Sequence, residues 1–155
     1  MLTWHLQRRL DAVPHRSFAS LMELYEGNYI LMRRLAPGLT RLDGQRGRGW
    51  VCSRIAEGPD LYLRLLERSR HTSTVVVTHC FSGQDERLEP DLPVRVYHDA
   101  RLAEVWLPDA GERPRFALNQ LSKRWESNHF LNRWLRYCLA EGHRFMELDG
   151  QALGA

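Results

Sequence analysis

The chain has 155 residues, 43% of them hydrophobic, with 22 Lys and Arg against 19 Asp and Glu and a formal net charge of +3. That length predicts one domain able to bury a sizeable core, and no apolar run approaches the roughly 18 residues of a membrane helix. Cys52, Cys80 and Cys138 are odd in number and far apart, with no Cys-x-x-Cys pair, which argues against a disulfide framework or a zinc knuckle.

Those three cysteines are expected as buried or half-buried thiols in a reducing compartment. Residues 1–16 read as a flexible lead-in. Arg8 and Arg9 interrupt the apolar positions there, and no small-residue cleavage site follows, so a cytoplasmic location is the expectation. Charge is unevenly spread: residues 1–56 carry nine Arg against four acids, and residues 84–112 carry eight acids against three Arg. Opposed patches of this kind steer partners or help two subunits approach. Lys123 is the only lysine. An arginine-rich surface suits phosphate and carboxylate, and a codon bias produces the same composition.

Ser17 predicts the N-cap of a first helix that Pro37-Gly38 stops near Ala36. Phe18, Leu21, Met22, Tyr25, Tyr29 and Met32 mark its apolar face. The loop that follows holds Gly44-Gln45-Arg46-Gly47-Arg48-Gly49, which fits neither the Walker nor the dinucleotide pattern and reads as a surface loop.

Two hairpins come next. In the first, Leu61, Leu63 and Leu65 alternate on one strand and Val76, Thr78 and Cys80 on its partner. With Arg70-His71 at the tip, Leu65 faces Val76 and Leu63 faces Thr78, leaving Tyr62, Arg64, Leu66, Val75, Val77 and His79 on the reverse face. Residues 83–93 read as an acidic, proline-bounded connection. The second hairpin, Val94 to Trp106, turns at Asp99-Ala100 and places Arg95 opposite Glu104, Val96 opposite Ala103 and Val94 opposite Val105. Phe116 to Leu118 is a candidate short fifth strand.

A closing helix runs from about Lys123 or Ser127 to Glu141, with Gly142 as its stop. Phe130, Leu131, Trp134, Leu135, Cys138 and Leu139 form its apolar stripe, with Asn132, Arg133, Arg136 and Glu141 facing away. The expected architecture is therefore α+β: a four-stranded antiparallel meander with an N-terminal and a C-terminal helix on one face, in the order α-β-β-β-β-α. It forms a single domain over residues 17–146, followed by a flexible tail at 147–155.

Four stretches of this sequence resemble the YqiB-like proteins, an uncharacterised bacterial family carrying a domain of unknown function. They are Tyr25–Pro37 (YEGNYILMRRLAP), Glu67–Ser73 (ERSRHTS), Val94–Val105 (VRVYHDARLAEV) and Asn128–Gly142 (NHFLNRWLRYCLAEG). The similarity spans roughly Ser17 to Gly142. The family's usual Tyr-Pro-Asn turn and Asp-Glu-Lys segment ahead of the last helix are replaced by the shorter Ala117–Ser127. Resemblance here implies no established activity.

The chemistry-bearing residues favour binding over reaction. His98 beside Asp99 is raw material for acid–base catalysis, yet adjacent strand positions point to opposite faces and Asp is a common turn residue. His98, Asp99 and Arg101 are accordingly read as turn structure, and no catalytic residue is assigned. His79 and His98 fall on opposite faces in this register, so no metal site is assigned, and no cofactor motif is present. Left over is the outer sheet face, with Tyr62, Arg64, His79, Arg95, Tyr97, Glu104 and Trp106. Such a face suits a homodimer or protein partner, where Tyr, Trp and Arg are enriched. The alternative is a nucleotide-like small ligand, as in a ligand-binding protein or hydrolase, and then single-stranded nucleic acid, whose bases stack on aromatic rings.

Overall fold

The computed structural model describes residues 17–39, 49–81, 87–106 and 118–146. In chain order they form α1 (Phe18–Leu35), β1 (Val51–Ser53), β2 (Asp60–Arg68), β3 (Thr72–Phe81), β4 (Arg87–Tyr97), β5 (Leu102–Val105) and α2 (Leu118–Ala140). The expected lead-in, the tail and most of the Gly/Arg loop lie outside the described residues.

Helix α1 starts where the sequence places it. Ser17 Oγ accepts the Ser20 N–H at 3.0 Å, satisfying one donor of the first turn. Its last bond runs from the Ala36 N–H to Met32 O, directly before Pro37. The buried stripe is rotated from the expected one and runs through Leu21, Leu24, Asn28, Leu31, Met32 and Leu35, leaving Phe18 57% exposed.

Helix α2 begins at Leu118, ahead of the expected start near Lys123. Leu121 and Trp125 pack with Leu21 and Leu24, and this burial carries the helix through a stretch of weak pattern. Leu118 therefore belongs to a helix and not to a strand; Phe116 lies outside the described residues. Phe130 is 49% exposed, whereas Asn132, expected on the outer side, is fully buried. The helix ends in a Schellman motif: the Gly142 and His143 N–H groups donate to Leu139 and Cys138 carbonyls, and Gly142 takes φ 100°.

The sheet has five strands in the order β1-β2-β3-β4-β5, every neighbour antiparallel. The fifth strand is β1, whose three residues are too few to show alternation in sequence. Val51 and Ser53 pair with Leu63 and Leu61. Strand β4 also begins earlier than expected, at Arg87, so most of the supposed acidic connection is strand. Its prolines sit where a missing N–H is tolerated. Pro90 lies in the interval where the β3–β4 register shifts, and Pro93 faces the end of the β5 ladder, its carbonyl accepting Trp106 N–H.

The β4–β5 hairpin has the predicted register: Val94 opposite Val105, Arg95 opposite Glu104 and Val96 opposite Ala103. The β2–β3 hairpin does not. Near the tip, Arg68 faces Ser73 and Glu67 faces Thr74, but a bulge at Leu66 then makes Leu65 face Val75 and Leu63 face Val77. A one-residue insertion exchanges the two faces of everything beyond it. Val75, Val77 and His79 consequently turn inward, and Val76, Thr78 and Cys80 turn outward.

Both helices cover the inward face. Leu31, Met32 and Leu35 of α1 and Leu131, Trp134, Leu135 and Cys138 of α2 join Leu61, Leu63, Leu65, Val75, Val77, Val94, Val96, Ala103 and Val105 in one core. The helices run parallel: Leu21 and Leu24 meet Trp125, Asn28 meets Asn128, and beyond the helix ends Phe145 N–H donates to Leu35 O at 2.8 Å. Asn128 Oδ1 also accepts the Val105 N–H at 2.9 Å, so α2 closes part of the edge that β5 presents.

Candidate functional site

With the inner face committed to the core, the outer face of the sheet holds six of the seven candidate binding residues. At the β4 end, the Arg95 guanidinium carbon stands 3.5 Å from the centre of the Trp106 ring. The same side chain crosses β3, donating from Nε to Thr74 Oγ1 at 3.0 Å, and reaches Glu67 Oε2 on β2 at 3.5 Å. Arg95 thus ties three strands together while its charge stands over an indole, a cation–π contact. Its sequence neighbour across the ladder, Glu104, is not its ion-pair partner. Glu104 instead accepts Tyr97 OH at 2.7 Å on Oε1 and meets Arg124 NH1 at 3.8 Å on Oε2. The expected Arg95–Glu104 pair is corrected on this point: the register holds, and each charge finds another partner.

Tyr97 and Tyr25 both sit against Glu104. Burial first, then hydrogen bonding and repulsion from that carboxylate, push the Tyr97 phenol up to about 12. Tyr25 is raised by burial and by the Glu104 charge. Both phenols therefore stay protonated as donors.

At the β2 end a second aromatic–arginine group forms. Trp50 meets Tyr62 edge to face, with centroids 6.2 Å apart, and Arg64 lies over the Trp50 ring at 4.9 Å. Burial raises the Tyr62 phenol and the neighbouring Cys52 thiol. Arg54 pairs with Asp60 at 3.4 Å beside them. Trp50, Glu67, Thr74 and Arg124 were not legible as members of this face. Trp50 could have been found from the 50–53 stretch, where it shares a face with Cys52, which pairs with Tyr62.

His79 does not belong to the face. It is 4% exposed in the core, where Trp134 Nε1–H donates to its Nδ1 at 3.3 Å and Cys138 Sγ lies 3.7 Å from Nε2. The bulge at Leu66 is the reason. The same shift brings His79 and His98 to the same side of the sheet, against expectation, but at opposite ends of β3, roughly 20 Å apart along the strand.

His98 sits with the turn. Its backbone N–H donates to His71 O, joining the two hairpin tips, and Asp99 Oδ1 accepts the Ala100 N–H at 2.9 Å. Arg101 is exposed and has a positive φ of 57°, the αL residue of a four-residue loop. Beneath the turn, His98 Nε2 accepts from Ser73 Oγ at 2.8 Å and Arg68 NH1 at 3.0 Å. A Ser–His contact resembles a nucleophile and its base. Here the Arg68 guanidinium donates to the same Nε2 that would have to take the Ser73 proton, and Ser73 is fully buried. The group locks the hairpin tips together.

Comparison with known proteins agrees with the resemblance seen in the four motifs. The chain belongs to DUF1249, a family of proteins of unknown function, which it matches over residues 31–144. It is 33% identical over 132 residues to the uncharacterised protein YqiB of Escherichia coli, found in three strains, covering 81% of this chain and 90% of the relative. No solved structure matches. Among the described residues no helix is long and apolar enough to cross a membrane, and no group of three or more His, Cys, Asp or Glu is arranged to hold a metal ion.

Proposed function

We propose that this protein acts by binding and not by catalysis, and that the outer sheet face docks against a second copy of the chain. The observation that carries this reading is the Arg95–Trp106 stack, pinned by Thr74 and Glu67. An interface core favours Trp, Tyr and Arg whose charges are already met, because an unpaired charge is costly to desolvate. Arg95 with Glu67, and Glu104 with Arg124 and Tyr97, satisfy that condition before any partner arrives. The same pairing counts against single-stranded nucleic acid, since phosphate must compete with carboxylates already in place.

Sedimentation velocity over a wide concentration range tests it. The wild-type chain should pass from monomer to dimer, and Trp106→Ala and Arg95→Ala should each shift that midpoint at least about tenfold, as interface anchors do. A wild-type chain that stays monomeric at every concentration sinks the proposal. So does a dimer indifferent to both substitutions.

A further inference from the structure

The outer face carries most of its charges in pairs. Arg54 with Asp60, Arg95 with Glu67 and Arg124 with Glu104 are matched within the chain. Among the described residues two charges on that face are left over, one of each sign. Arg64 on β2 has no carboxylate beside it, and its guanidinium lies over the Trp50 ring at 4.9 Å. Asp91 on β4 is exposed and makes no hydrogen bond or ion pair.

The strand register fixes where the two stand. Arg64 faces Val76 and Val76 faces Pro93, so with Trp50 and Trp106 they make one outward row across the sheet. Leu92 packs inward opposite Val77, which turns Asp91 outward beside that row. Strand β3 and a two-residue offset separate Arg64 from Asp91, about 12 Å between Cα atoms on ordinary sheet spacings. Arg64 leans the other way, towards Trp50 and β1, and the two charges do not meet within one chain. Between them lie Val76 and Thr78, which carry no charge.

A docked face must meet both charges, because an ion left unpaired on desolvation is costly. A two-fold axis meets both at once. In an isologous interface residue i touches j while j touches i, so one lone cation and one lone anion supply two complementary pairs. We infer that Arg64 of each copy pairs with Asp91 of the other, the two-fold lying in the interface and crossing β3 between Val76 and Thr78. The pairing rests on the reading of the outer face as a dimer surface, and it adds the register in which the copies meet. Aromatic and apolar contacts tolerate sliding; two fixed opposite charges select one alignment.

Sedimentation velocity of the full chain and its variants tests the pairing. Arg64→Glu and Asp91→Arg should each raise the concentration needed for dimer at least about tenfold, since each sets like charges together twice. An equal mixture of the two variants should dimerise as readily as wild type, because both contacts in the mixed dimer again join opposite charges. The chain carrying both substitutions should recover in the same way. Glu26→Arg, at an exposed position on α1, should leave the wild-type dimer unchanged and should not restore Arg64→Glu on mixing. Thermal melts confirm that each variant is folded. Where a charge reversal unfolds the chain, Arg64→Gln and Asp91→Asn replace it, each weakening the dimer and both together no more than one alone.

A wild-type dimer that neither reversal weakens, or that the mixture fails to restore, overturns the pairing. In that case Trp106→Ala and Arg95→Ala still report whether the face itself docks. Restoration of Arg64→Glu by Glu26→Arg overturns the pairing too, because net charge would then explain the result. A wild-type chain that is monomeric at every concentration removes the dimer and the pairing together.

Discussion

Trp134 donates its indole N–H to Nδ1 of His79 at 3.3 Å, and that bond sets the histidine's tautomer. With Nδ1 accepting, the ring proton sits on Nε2, 3.7 Å from Cys138 Sγ. His143 is fully buried, 5.8 Å away between ring centroids, and burial lowers its pKa as well. Ser53 Oγ accepts the Arg144 N–H at 3.0 Å and lies 3.0 Å from His143 Nδ1. The core therefore holds two neutral imidazoles side by side. Cys138 beside them is a thiol and not a thiolate, since burial pushes it up to about 12.

Acid should unfold the protein through this pair. Burial lowers the pKa of both rings, and the His143 charge lowers His79 further. Asp60, Glu141 and the Pro59 and Ser53 backbone pull His143 the other way and do not offset its burial. The folded state thus binds fewer protons than the unfolded one once pH drops below about 6.5. Stability is fully present above that value and is lost as pH falls towards the folded-state pKa values. Urea unfolding at a series of pH values from about 8 to 5 should show a plateau and then a decline, less steep in His79→Gln. A flat profile would contradict the assignment of both rings as neutral.

The segment after α2 straps the two helices and β1 together. Phe145 is 1% exposed and its N–H donates to Leu35 O, while Arg144 N–H reaches Ser53 Oγ. Phe145→Ala should cost about 3–5 kcal/mol, the range for emptying a fully buried phenyl site. Denaturant melts measure it, and Met146→Ala, at a position 71% exposed, is the control that should leave the midpoint unchanged.

Much of this fold was legible because local and long-range signals agree. Ser17, Pro37 and Gly142 bound the helices through backbone chemistry that needs no partner, and the β4–β5 hairpin has a turn and an alternation that permit one register. The β2–β3 hairpin was half legible. Its tip register is the one the sequence suggests, and nothing in Arg-Leu-Leu-Glu-Arg (Arg64–Arg68) announces that Leu66 is the extra residue. With Thr72 to Thr78 apolar or small on both faces, either register buries apolar groups, Val75 and Val77 in one and Val76 in the other. The core selects the one that puts His79 against Trp134, a contact spanning the chain from residue 79 to 134. The outer face survived the shift because Leu61, Leu63 and Leu65 still turn inward, which keeps Tyr62 and Arg64 outside, and because Arg95, Tyr97, Glu104 and Trp106 belong to the β4–β5 hairpin, whose register is the expected one. Partners such as Glu67 and Arg124 were out of reach, being set by tertiary proximity alone.

Tyr97 should titrate late. Its phenol is raised to about 12 because ionisation would place a second charge against Glu104 in a half-buried site. Here the folded state holds its proton longer than the unfolded one, so the stability it contributes is present below about pH 10 and is lost as pH rises towards 12. An ultraviolet titration of phenolate absorbance should lose one late-ionising tyrosine in Tyr97→Phe. The same variant should reduce stability by about 1 kcal/mol at neutral pH, the net worth of one hydrogen bond, or somewhat more because the acceptor is charged. An unchanged titration curve would mean that the Tyr97–Glu104 bond does not form in solution.

Two asparagines one turn apart on α2 should respond in opposite directions. Asn128 is 1% exposed and fully employed: its Oδ1 accepts the Val105 N–H at 2.9 Å and its Nδ2 donates to Arg124 O at 2.8 Å. Asn28 Nδ2 also approaches its side-chain and backbone oxygens at 3.4 Å. Replacing Asn128 by Leu leaves the Val105 N–H buried without its acceptor and takes from the Asn28 amide one of its two, at about 1–3 kcal/mol for the group stranded. Asn132 is equally buried, yet among the described residues neither its Oδ1 nor its Nδ2 has a hydrogen-bond partner. Its amide is desolvated with nothing in return, and a Leu of similar volume removes that cost, so Asn132→Leu should stabilise the fold by about 1 kcal/mol or more. Thermal or urea melts of the two single variants decide the matter. If both destabilise alike, Asn132 has a partner, and the α2 face towards the core is more polar than its contacts indicate.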